Sequence, residues 1–494
     1  MTDHDDPRPR PQSDPPATPG PDGRIDGPPP PSRLEMPAAP PTPGAAEVPP
    51  PPPAPAAPGS DGARRRPLSR RTFLGVAGGV AGTAAVGGGV WAVLMRDSVE
   101  SAGVASTTTT VPTTTTTLAA GGGAVPYGDR ILVVLEMAGG NDALNTLVSN
   151  DGAYRSARPQ LALPENELLA LAGADFGLHP SLAGLVPYWD AGTMAAVAGA
   201  GMPEQSRSHF KAMDTWWSGI PGAGSQTGWL GRWLDATLEG ANDPLRAIAL
   251  GGGSPALVGM NTLATVVRSP ETFTLRTMEG ADNDALVAAF LATAGPLSAS
   301  PEMAAAQYAI PSTLDAVEIL ASVSGGGEEY DINPAPSTAT SLLQTAAGII
   351  DLGIGTQVIT VGINGFDTHA NQLGTHAGLL ADVGDGLAAF FDRLEADGHA
   401  DRVMVVTTSE FGRRVAENGS GGTDHGSGGC QFLIGPDVAG AQVIGGYDFG
   451  ALTQGDIPAV VDTRSIYSAA LDWMGGPTDE ILDGPHDRLG LLSA

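Results

Sequence analysis

Three apolar, β-branched runs in this chain each stop at a polar turn that carries acidic residues or histidine. They span residues 130–135, 357–363 and 402–408, and further strand-like runs occupy 193–198 and 246–250. Strand, polar turn and helix in alternation are typical of a doubly wound sheet with helices on both faces. We therefore predict an α/β/α sandwich with a mostly parallel sheet, whose strands converge on one polar site at their carboxyl ends.

Helical periodicity supports this architecture. Beyond residue 371 apolar residues recur at three- and four-residue steps, at Leu380, Val383, Leu387, Phe390 and Leu394. A second helix is predicted over 465–474, and the alanine-rich stretch 282–325 indicates an inserted helical layer. Another helix is predicted to begin at 206–210, with its buried face marked by Phe210, Met213, Trp216 and Trp217.

The N-terminal region has a composition that cannot pack a core. Residues 1–67 hold 23 of the 43 prolines, which favours a disordered arm over residues 1–68. Residues 1–71 contain nine acidic residues and nine arginines, so the formal charge of −29 belongs to the remainder. Such an acidic body argues against nucleic acid as a partner. It also repels anionic substrates unless bound cations reverse the local field.

A twin-arginine pair follows this arm. Arg70 and Arg71 lie in the sequence SRRTFL, directly before the charge-free stretch 72–95. The segment 69–105 resembles a twin-arginine (Tat) export signal, which implies the Tat machinery as a partner and an extracytoplasmic location. The alternative is an ordinary membrane helix, since ~20 residues suffice to span a bilayer. Residues 72–95 would then tether the chain, although cleavage after 103–105 is favoured. A threonine- and glycine-rich linker, 106–126, leads to a folded domain over 127–494.

Acidic and histidine side chains at the strand ends predict a metal site. Asp367 and His369 follow the run 357–363, and Gly365 permits the backbone to turn there. Asp424 and His425 lie in a glycine-rich loop. Carboxylates and neutral imidazoles together form a metal-binding set. Each pair taken alone is also explained as a loop acid beside a surface histidine.

Two more strand ends carry candidates for the same site. Glu410 and Arg413 follow the run 402–408. Glu410 is a candidate ligand or general base, and Arg413 a candidate clamp for an anionic oxygen. An ordinary surface pair is the alternative. Asp142, which follows two glycines after the first run, is either a further ligand or a helix cap.

The predicted helix near residue 206 supplies a candidate nucleophile. Ser208 lies at its N-terminus, in a positive field where anions bind readily. A metal would activate its hydroxyl, although the commoner explanation is that Ser206 or Ser208 is simply the N-cap. His209 is a candidate ligand or acid. The sole cysteine, Cys430, excludes intrachain disulfides and is interpreted as a small buried hydrophobe.

The chain resembles the DUF1501 family, exported bacterial proteins of unassigned function. The resemblance covers nearly all of the sequence from residue 131 onward. Its motifs are GGNDALN at 139–145, RSHF at 207–210, GWLGR at 228–232, FDTHANQ at 366–372, SEFGR at 409–413, GTDHG at 422–426 and DTRSIYSAALDWMG at 462–475.

This family is similar to a divergent branch of the alkaline phosphatase and sulfatase superfamily. The similarity implies an α/β/α fold with two metal ions at the strand ends and a nucleophile at Ser208. It implies one ion held by Asp367, His369 and His425, and a second by Asp142 and Glu410, with Asp424 as a further candidate for that ion. The SEF triplet at 409–411 departs from the superfamily's Asp-His, and the sulfatase signature is absent.

These features predict an exported, metal-dependent hydrolase of phosphate or related esters. The expected metal is zinc, as one or two ions, with manganese or calcium as alternatives, and the substrate is a small-molecule or polymer ester. A second hypothesis is a non-catalytic envelope or cell-surface protein that keeps the fold with a degenerate metal site. A third is a glycosidase that uses Glu410 and Asp424 as its carboxylate pair, which leaves the histidines unexplained.

Overall fold

The computed structural model describes residues 127–493, with gaps at 223–224, 240–241, 269–282, 296–302, 304–306, 308–315, 317–318 and 321–336. The predicted N-terminal arm, export signal and linker lie outside the described residues. So does most of the predicted helical insertion at 282–325, of which a helix over Asn283–Ala292 is described. No helix within the described ranges is both long and apolar enough to cross a membrane.

The described residues form two sheets, a large one and a small one. Their strands are β1 (Ile131–Ala138), β2 (Leu147–Ser149), β3 (Leu169–Ala170), β4 (Phe176–Leu178), β5 (Met194–Gly201), β6 (Ala247–Leu250), β7 (Thr265–Val267), β8 (Val358–Asn364), β9 (Val403–Thr408), β10 (Gly429–Ile434), β11 (Gln442–Gly445) and β12 (Val461–Asp462). The large sheet has the order β11-β5-β10-β9-β1-β8-β6-β7, with β12 also paired to β5. The small sheet is β2-β4-β3.

The large sheet is mostly parallel, as predicted. Strand β1 pairs in parallel with β8 on one side and with β9 on the other, and β6 continues the parallel order beyond β8. Strand β10 runs antiparallel to both β9 and β5. All five runs predicted as strands are confirmed, as β1, β5, β6, β8 and β9. The carboxyl ends of β1, β8 and β9 therefore lie side by side.

Helices cover both faces of this sheet. The helices of the described residues are α1 (Ala143–Thr146), α2 (Gly152–Ala157), α3 (Val186–Asp190), α4 (His209–Ser218), α5 (Trp229–Ala236), α6 (Asn283–Ala292), α7 (Ala339–Asp351), α8 (Gln372–Asp397), α9 (Thr463–Met474) and α10 (Thr478–Ile481). One apolar core contains residues of α7 and α8, and the other contains residues of α4, α5 and α9. The predicted apolar face of α8 is confirmed, because all five of its marker residues are buried.

Helix α4 departs from the prediction at its first turn. Trp216 is buried as expected, but Phe210 is 88% exposed, so its assignment to the buried face was wrong. The first turn of α4 is the turn that carries His209. His209 faces inward there and hydrogen-bonds Glu410, just beyond the end of β9, whereas Phe210 points to solvent. The predicted burial of Cys430 is confirmed.

Candidate metal centre

Three side chains from distant parts of the chain converge beyond the carboxyl ends of the central strands. Asp367 follows β8, His425 lies in the loop between β9 and β10, and His209 is the first residue of α4. One potential ligand atom from each lies within 4.8 Å of the others. His425 Nε2 is 3.0 Å from Asp367 Oδ1, and His209 Nε2 is 3.6 Å from Asp367 Oδ2. Two imidazoles and one carboxylate are a ligand set suited to Zn²⁺.

The outer nitrogen of each of these two imidazoles is fixed by a hydrogen bond. His425 Nδ1 donates to the carbonyl oxygen of Arg207 at 2.8 Å, because a carbonyl can only accept. His209 Nδ1 lies 2.8 Å from Glu410 Oε1. A donating Nδ1 leaves Nε2 of a neutral imidazole as the lone-pair nitrogen. Both rings thus present Nε2 to the cluster, an arrangement usual for metal-binding histidines.

The inner nitrogen of His209 has no hydrogen-bond partner among the described residues, although it is buried. Buried polar atoms are nearly always paired, so such an atom needs an explanation. Here it faces a carboxylate oxygen, and the lone pair of His425 faces the same carboxylate. Electron-rich atoms at these separations repel one another unless a positive species lies among them. The residues therefore fit a bound cation.

Glu410 acts through His209 in this arrangement. Its carboxylate is buried and also accepts hydrogen bonds from the backbone N–H of Gly139, at 2.9 and 3.2 Å, and from Ser409. These contacts occupy both of its oxygens. The geometry places Glu410 behind a ligand, where it orients the imidazole, and does not place it in the group of three.

His369 and Asp424 lie on the exposed side of the cluster. His369 Nε2 is 3.0 Å from His425 Nε2, and its Nδ1 is 3.3 Å from Asp424 Oδ1. Asn418 holds both residues, since its side-chain N–H donates to the His369 carbonyl and to Asp424. The hydrogen bond from Asn418 lowers the pKa of Asp424, and the one from His369 adds to the effect. Asp424 therefore orients His369 and does not reach the group of three.

Arg413 anchors the carboxylate at the centre of the cluster. Its Nη2 donates to Asp367 Oδ1 at 2.7 Å. Burial alone would raise the pKa of Asp367, but the hydrogen bond and the positive charge of Arg413 outweigh it and bring that pKa down to about 2. Asp367 is therefore ionised at any physiological pH. Its side chain is 47% exposed, and contact with water favours the charged form further.

The remaining contacts of Arg413 differ from those expected of a substrate clamp. The side chain is fully buried and donates to backbone carbonyls of Gly140 at 2.7 Å, Thr423 at 2.8 Å and Phe366 at 3.0 Å, and also to that of Gly139. A guanidinium engaged in this way ties three strand-end turns together. The geometry gives no support to the predicted contact between Arg413 and a substrate anion.

Asp142 is also placed differently from the expectation. Its carboxylate is fully buried in a two-pronged ion pair with Arg158, at 2.6 and 3.0 Å, and Gln372 donates to it as well. Burial alone would raise its pKa, but Arg158 outweighs this and holds the pKa below its usual value. Asp142 is the residue before α1 but does not cap it through its side chain. The family resemblance implies that the Asp142 carboxylate binds a second metal ion. In the structure this carboxylate is paired with the guanidinium of Arg158 instead.

Ser208 is exposed and is the N-cap residue of α4, although its side chain makes no capping hydrogen bond. It immediately precedes His209 and follows Arg207, whose carbonyl orients His425.

Sequence reasoning did not single out Glu136, a buried carboxyl near the end of β1. The available signal was one acidic residue within an otherwise apolar strand.

A cavity of about 780 Å³ lies at the other end of the sheet, away from these residues. Arg246, Gln357 and Gly128, which precede β6, β8 and β1, contribute to its lining. These positions are at the amino ends of the strands. The cavity is therefore separate from the candidate metal centre.

The family model described as "Protein of unknown function (DUF1501)" matches residues 159–490 of this sequence. The chain belongs to the DUF1501 family. A search of curated proteins finds no match for this DUF1501 protein. The family assignment agrees with the resemblance read from the sequence motifs, and it assigns no activity.

Three of the solved structures that the comparison finds similar to this chain are the following. One is a protein in the alkaline phosphatase superfamily from Vibrio parahaemolyticus (10% identity, 73% of this chain and 71% of that chain, TM-score 0.35). Another is the C-terminal periplasmic domain of EcEptC from Escherichia coli in complex with Zn (8%, 70% and 82%, TM-score 0.35). A third is the phosphonate monoester hydrolase SpPMH from Silicibacter pomeroyi (11%, 73% and 76%, TM-score 0.33). At these TM-scores the likeness carries no conclusion about the activity of this chain.

Proposed function

We propose that this protein is a metal-dependent hydrolase of phosphate or related esters, with a single-ion centre at His209, Asp367 and His425. The observation that carries the proposal is the convergence of two oriented Nε2 atoms on one ionised carboxylate. The unpaired, buried Nε2 of His209 supports it further. Zinc is the expected ion, because imidazole and carboxylate together suit it, and manganese is the alternative.

A divalent ion held by these residues would stabilise negative charge on the oxygens of the ester. Glu410 keeps the His209 ring in its ligating orientation, and Arg413 holds Asp367 ionised and in place. Ser208 is the candidate nucleophile at the positive end of α4. Its oxygen would form a bond to phosphorus and give its proton to His369, while the bond to the leaving oxygen breaks. His369, exposed and oriented by Asp424, would pass this proton to the leaving oxygen, and water would then release phosphate from the serine.

The proposal specifies one ion because the second carboxylate set is occupied. The Asp142 carboxylate is paired with Arg158. The Glu410 carboxylate is hydrogen-bonded to His209 and to the backbone N–H of Gly139. Both contacts are internal ion pairs or hydrogen bonds that a second cation would have to break. The same observation favours a second candidate function, a non-catalytic envelope protein that binds through one ion, because neither Asp142 nor Glu410 is free to hold a second ion against the ester.

The proposal also includes export by the Tat machinery to the cell envelope or beyond. The twin-arginine pair at Arg70 and Arg71 and the charge-free stretch after it support this location. They lie outside the described residues, so the support comes from the sequence.

The test combines metal analysis with turnover. The full chain is purified without chelator as wild type, as a His209→Ala/His425→Ala double variant and as His399→Ala. His399 is a matched control, since it contacts Asp351 and not the cluster. We expect roughly one ion per wild-type chain, lost in the double variant and kept in the control. Hydrolysis of p-nitrophenyl phosphate should fall by at least about 100-fold in the double variant.

Each contrary result has a clear meaning. Protein that takes up no metal from solutions of Zn²⁺ or Mn²⁺ overturns the proposed centre. One bound ion without turnover of phosphate monoesters, phosphate diesters or sulfate esters supports the non-catalytic alternative. Turnover that survives the loss of both histidines places the chemistry elsewhere.

A further inference from the structure

Two half-exposed arginines near the candidate metal centre share one buried carboxylate. Asp456 is only 1% exposed, and its two oxygens contact Arg207 and, at 3.4 Å, Arg414. Neither arginine forms an ion pair with any other carboxylate of the described residues. One negative charge is therefore shared by two positive charges. The three side chains together carry a net positive charge, in a chain whose formal charge is −29.

Both guanidiniums keep N–H groups that no protein atom uses. Arg207 donates to Asp456 through Nη2, and its Nε and Nη1 have no hydrogen-bond partner among the described residues. Arg414 donates through Nη2 to the Gln454 carbonyl, and its Nε faces Asp456 Oδ1 without forming a hydrogen bond. The two arginine side chains are 36% and 37% exposed, so a ligand in solution can reach them. Guanidiniums with unused N–H groups are suited to bind carboxylate or phosphate.

The neighbouring Arg413 shows the opposite arrangement. Its guanidinium is fully buried, and its N–H groups are taken by Asp367 and by backbone carbonyls. A clamp for a substrate anion needs donors that are exposed and unoccupied, and Arg207 and Arg414 have such donors. These two side chains therefore suit the role that the sequence suggested for Arg413.

Both arginines are joined to the loop that carries His425. The Arg207 carbonyl accepts from His425 Nδ1 at 2.8 Å, and the Arg414 backbone N–H donates to the Asp424 carbonyl at 2.9 Å. The contact with Arg207 is on the Nδ1 side of the imidazole, whereas Nε2 faces the candidate metal centre. An anion bound by the arginines would thus lie near an ester held at the ion, but on the other side of the His425 ring. It would therefore be a different group from the one that contacts the ion.

We propose that Arg207 and Arg414, held by Asp456, form a subsite for a second anionic group on the alcohol portion of the substrate. The substrate is then an ester that carries a carboxylate, phosphate or sulfate group besides the one that is hydrolysed. The inference rests on the proposed hydrolase function and names its substrate class. Two guanidiniums bind such a group through charge-assisted hydrogen bonds, which are stronger than neutral ones. Their charge also offsets the repulsion between an anionic substrate and the acidic body of the chain.

The test compares two phosphate esters that differ by one charge, on the full-length, metal-loaded protein. Glycerol 3-phosphate has a neutral alcohol portion, and 3-phosphoglycerate has a carboxylate in place of the terminal hydroxymethyl group. The readout is the ratio of kcat/KM for 3-phosphoglycerate to kcat/KM for glycerol 3-phosphate, in which a general loss of activity cancels. We expect Arg207→Gln, and separately Arg414→Gln, to lower this ratio by at least about tenfold through KM.

Arg393→Gln is the matched control for both variants. The Arg393 side chain is 38% exposed and pairs with the single carboxylate of Asp397. It lies 21 residues beyond Gln372, the first residue of α8, which is about 30 Å along the helix. The loss of this guanidinium should leave the ratio at its wild-type value.

The outcomes separate this inference from the proposed function, which turnover of p-nitrophenyl phosphate reports independently. A ratio that neither Arg207→Gln nor Arg414→Gln lowers overturns the subsite. This holds even if both esters lose activity equally, because the arginines would then act on the hydrolysed group or on the fold.

If neither ester is hydrolysed, calorimetric titration decides the inference. Tighter binding of 3-phosphoglycerate than of glycerol 3-phosphate by wild type, lost in Arg207→Gln and kept in Arg393→Gln, supports the subsite. Equal affinities of the two esters for wild type overturn it.

Discussion

At the scale of single residues, Arg158 shows what a buried ion pair contributes. Its guanidinium and the Asp142 carboxylate are both fully buried. We expect Arg158→Met to lower the free energy of unfolding by roughly 3–5 kcal/mol, because it leaves an uncompensated charge inside the protein. Arg155→Met is the matched control, since Arg155 makes a 3.8 Å contact with the exposed Glu165 and should contribute at most about 1 kcal/mol. Urea denaturation measures both, and equal losses would contradict the argument.

A second prediction at this scale concerns Glu136 and the pH dependence of the free energy of unfolding. Its pKa rises from 4.5 to about 7 on folding, so the native state holds a proton that the unfolded state releases between these values. The free energy of unfolding should therefore fall as pH rises through this window, by roughly 3 kcal/mol from this group. Glu136→Gln lacks this contribution. Urea denaturation of both proteins between about pH 5 and pH 8 should show their difference growing with pH. A difference independent of pH would mean that the carboxyl titrates as in water.

Sequence reasoning at the residue scale located the candidate site better than it assigned roles. The turns that hold Asp367, Glu410 and His425 were identified because each follows an apolar run or lies among glycines. The roles depend on partners far away in the sequence. Arg158 was not singled out, because no local pattern shows which carboxylate it will meet. Arg413 donates to carbonyls of three separate turns, which no local pattern indicates.

At the scale of elements, the loop from Asn418 to His425 must approach the β8 turn very closely. A Cβ on Gly422 would lie 2.3 Å from the His369 carbonyl carbon and 2.4 Å from the Thr368 oxygen. We expect Gly422→Ala to push His425 away from Asp367 and to weaken metal binding by about 10–100-fold, as displaced supporting groups do. Gly419→Ala is the control in the same loop, because its Cβ meets no atom within 4 Å. Calorimetric titration with Zn²⁺ compares them, and equal affinities would show that the loop adapts without moving the histidine.

The periodicity of apolar residues in the sequence is enough to predict some helices and strands and the faces that they bury. The strands β1, β8 and β9 were predicted because each is a continuous run of apolar residues. The helix α8 was predicted because its apolar residues recur at three- and four-residue steps. The helix α4 was also predicted to begin where it does, but the predicted burial of Phe210 was wrong, because its apolar spacing continues through an exposed position. Whether a position on a helix is buried depends on how far the elements packed against it extend. The spacing of apolar residues within the helix itself does not show this.

At the scale of the whole molecule, the candidate centre joins segments that are far apart in the sequence. His209 begins α4, Asp367 follows β8, and His425 precedes β10. A ligand that binds only the folded state stabilises it by mass action, and Zn²⁺ at 100 times its dissociation constant should add roughly 2.7 kcal/mol to the free energy of unfolding. The melting temperature of the full chain should therefore rise with Zn²⁺ concentration and fall again on chelation. His399→Ala should behave as wild type, and His209→Ala/His425→Ala should not respond. A response retained in the double variant would place the stabilising ion at another site and remove the link between this cluster and the fold.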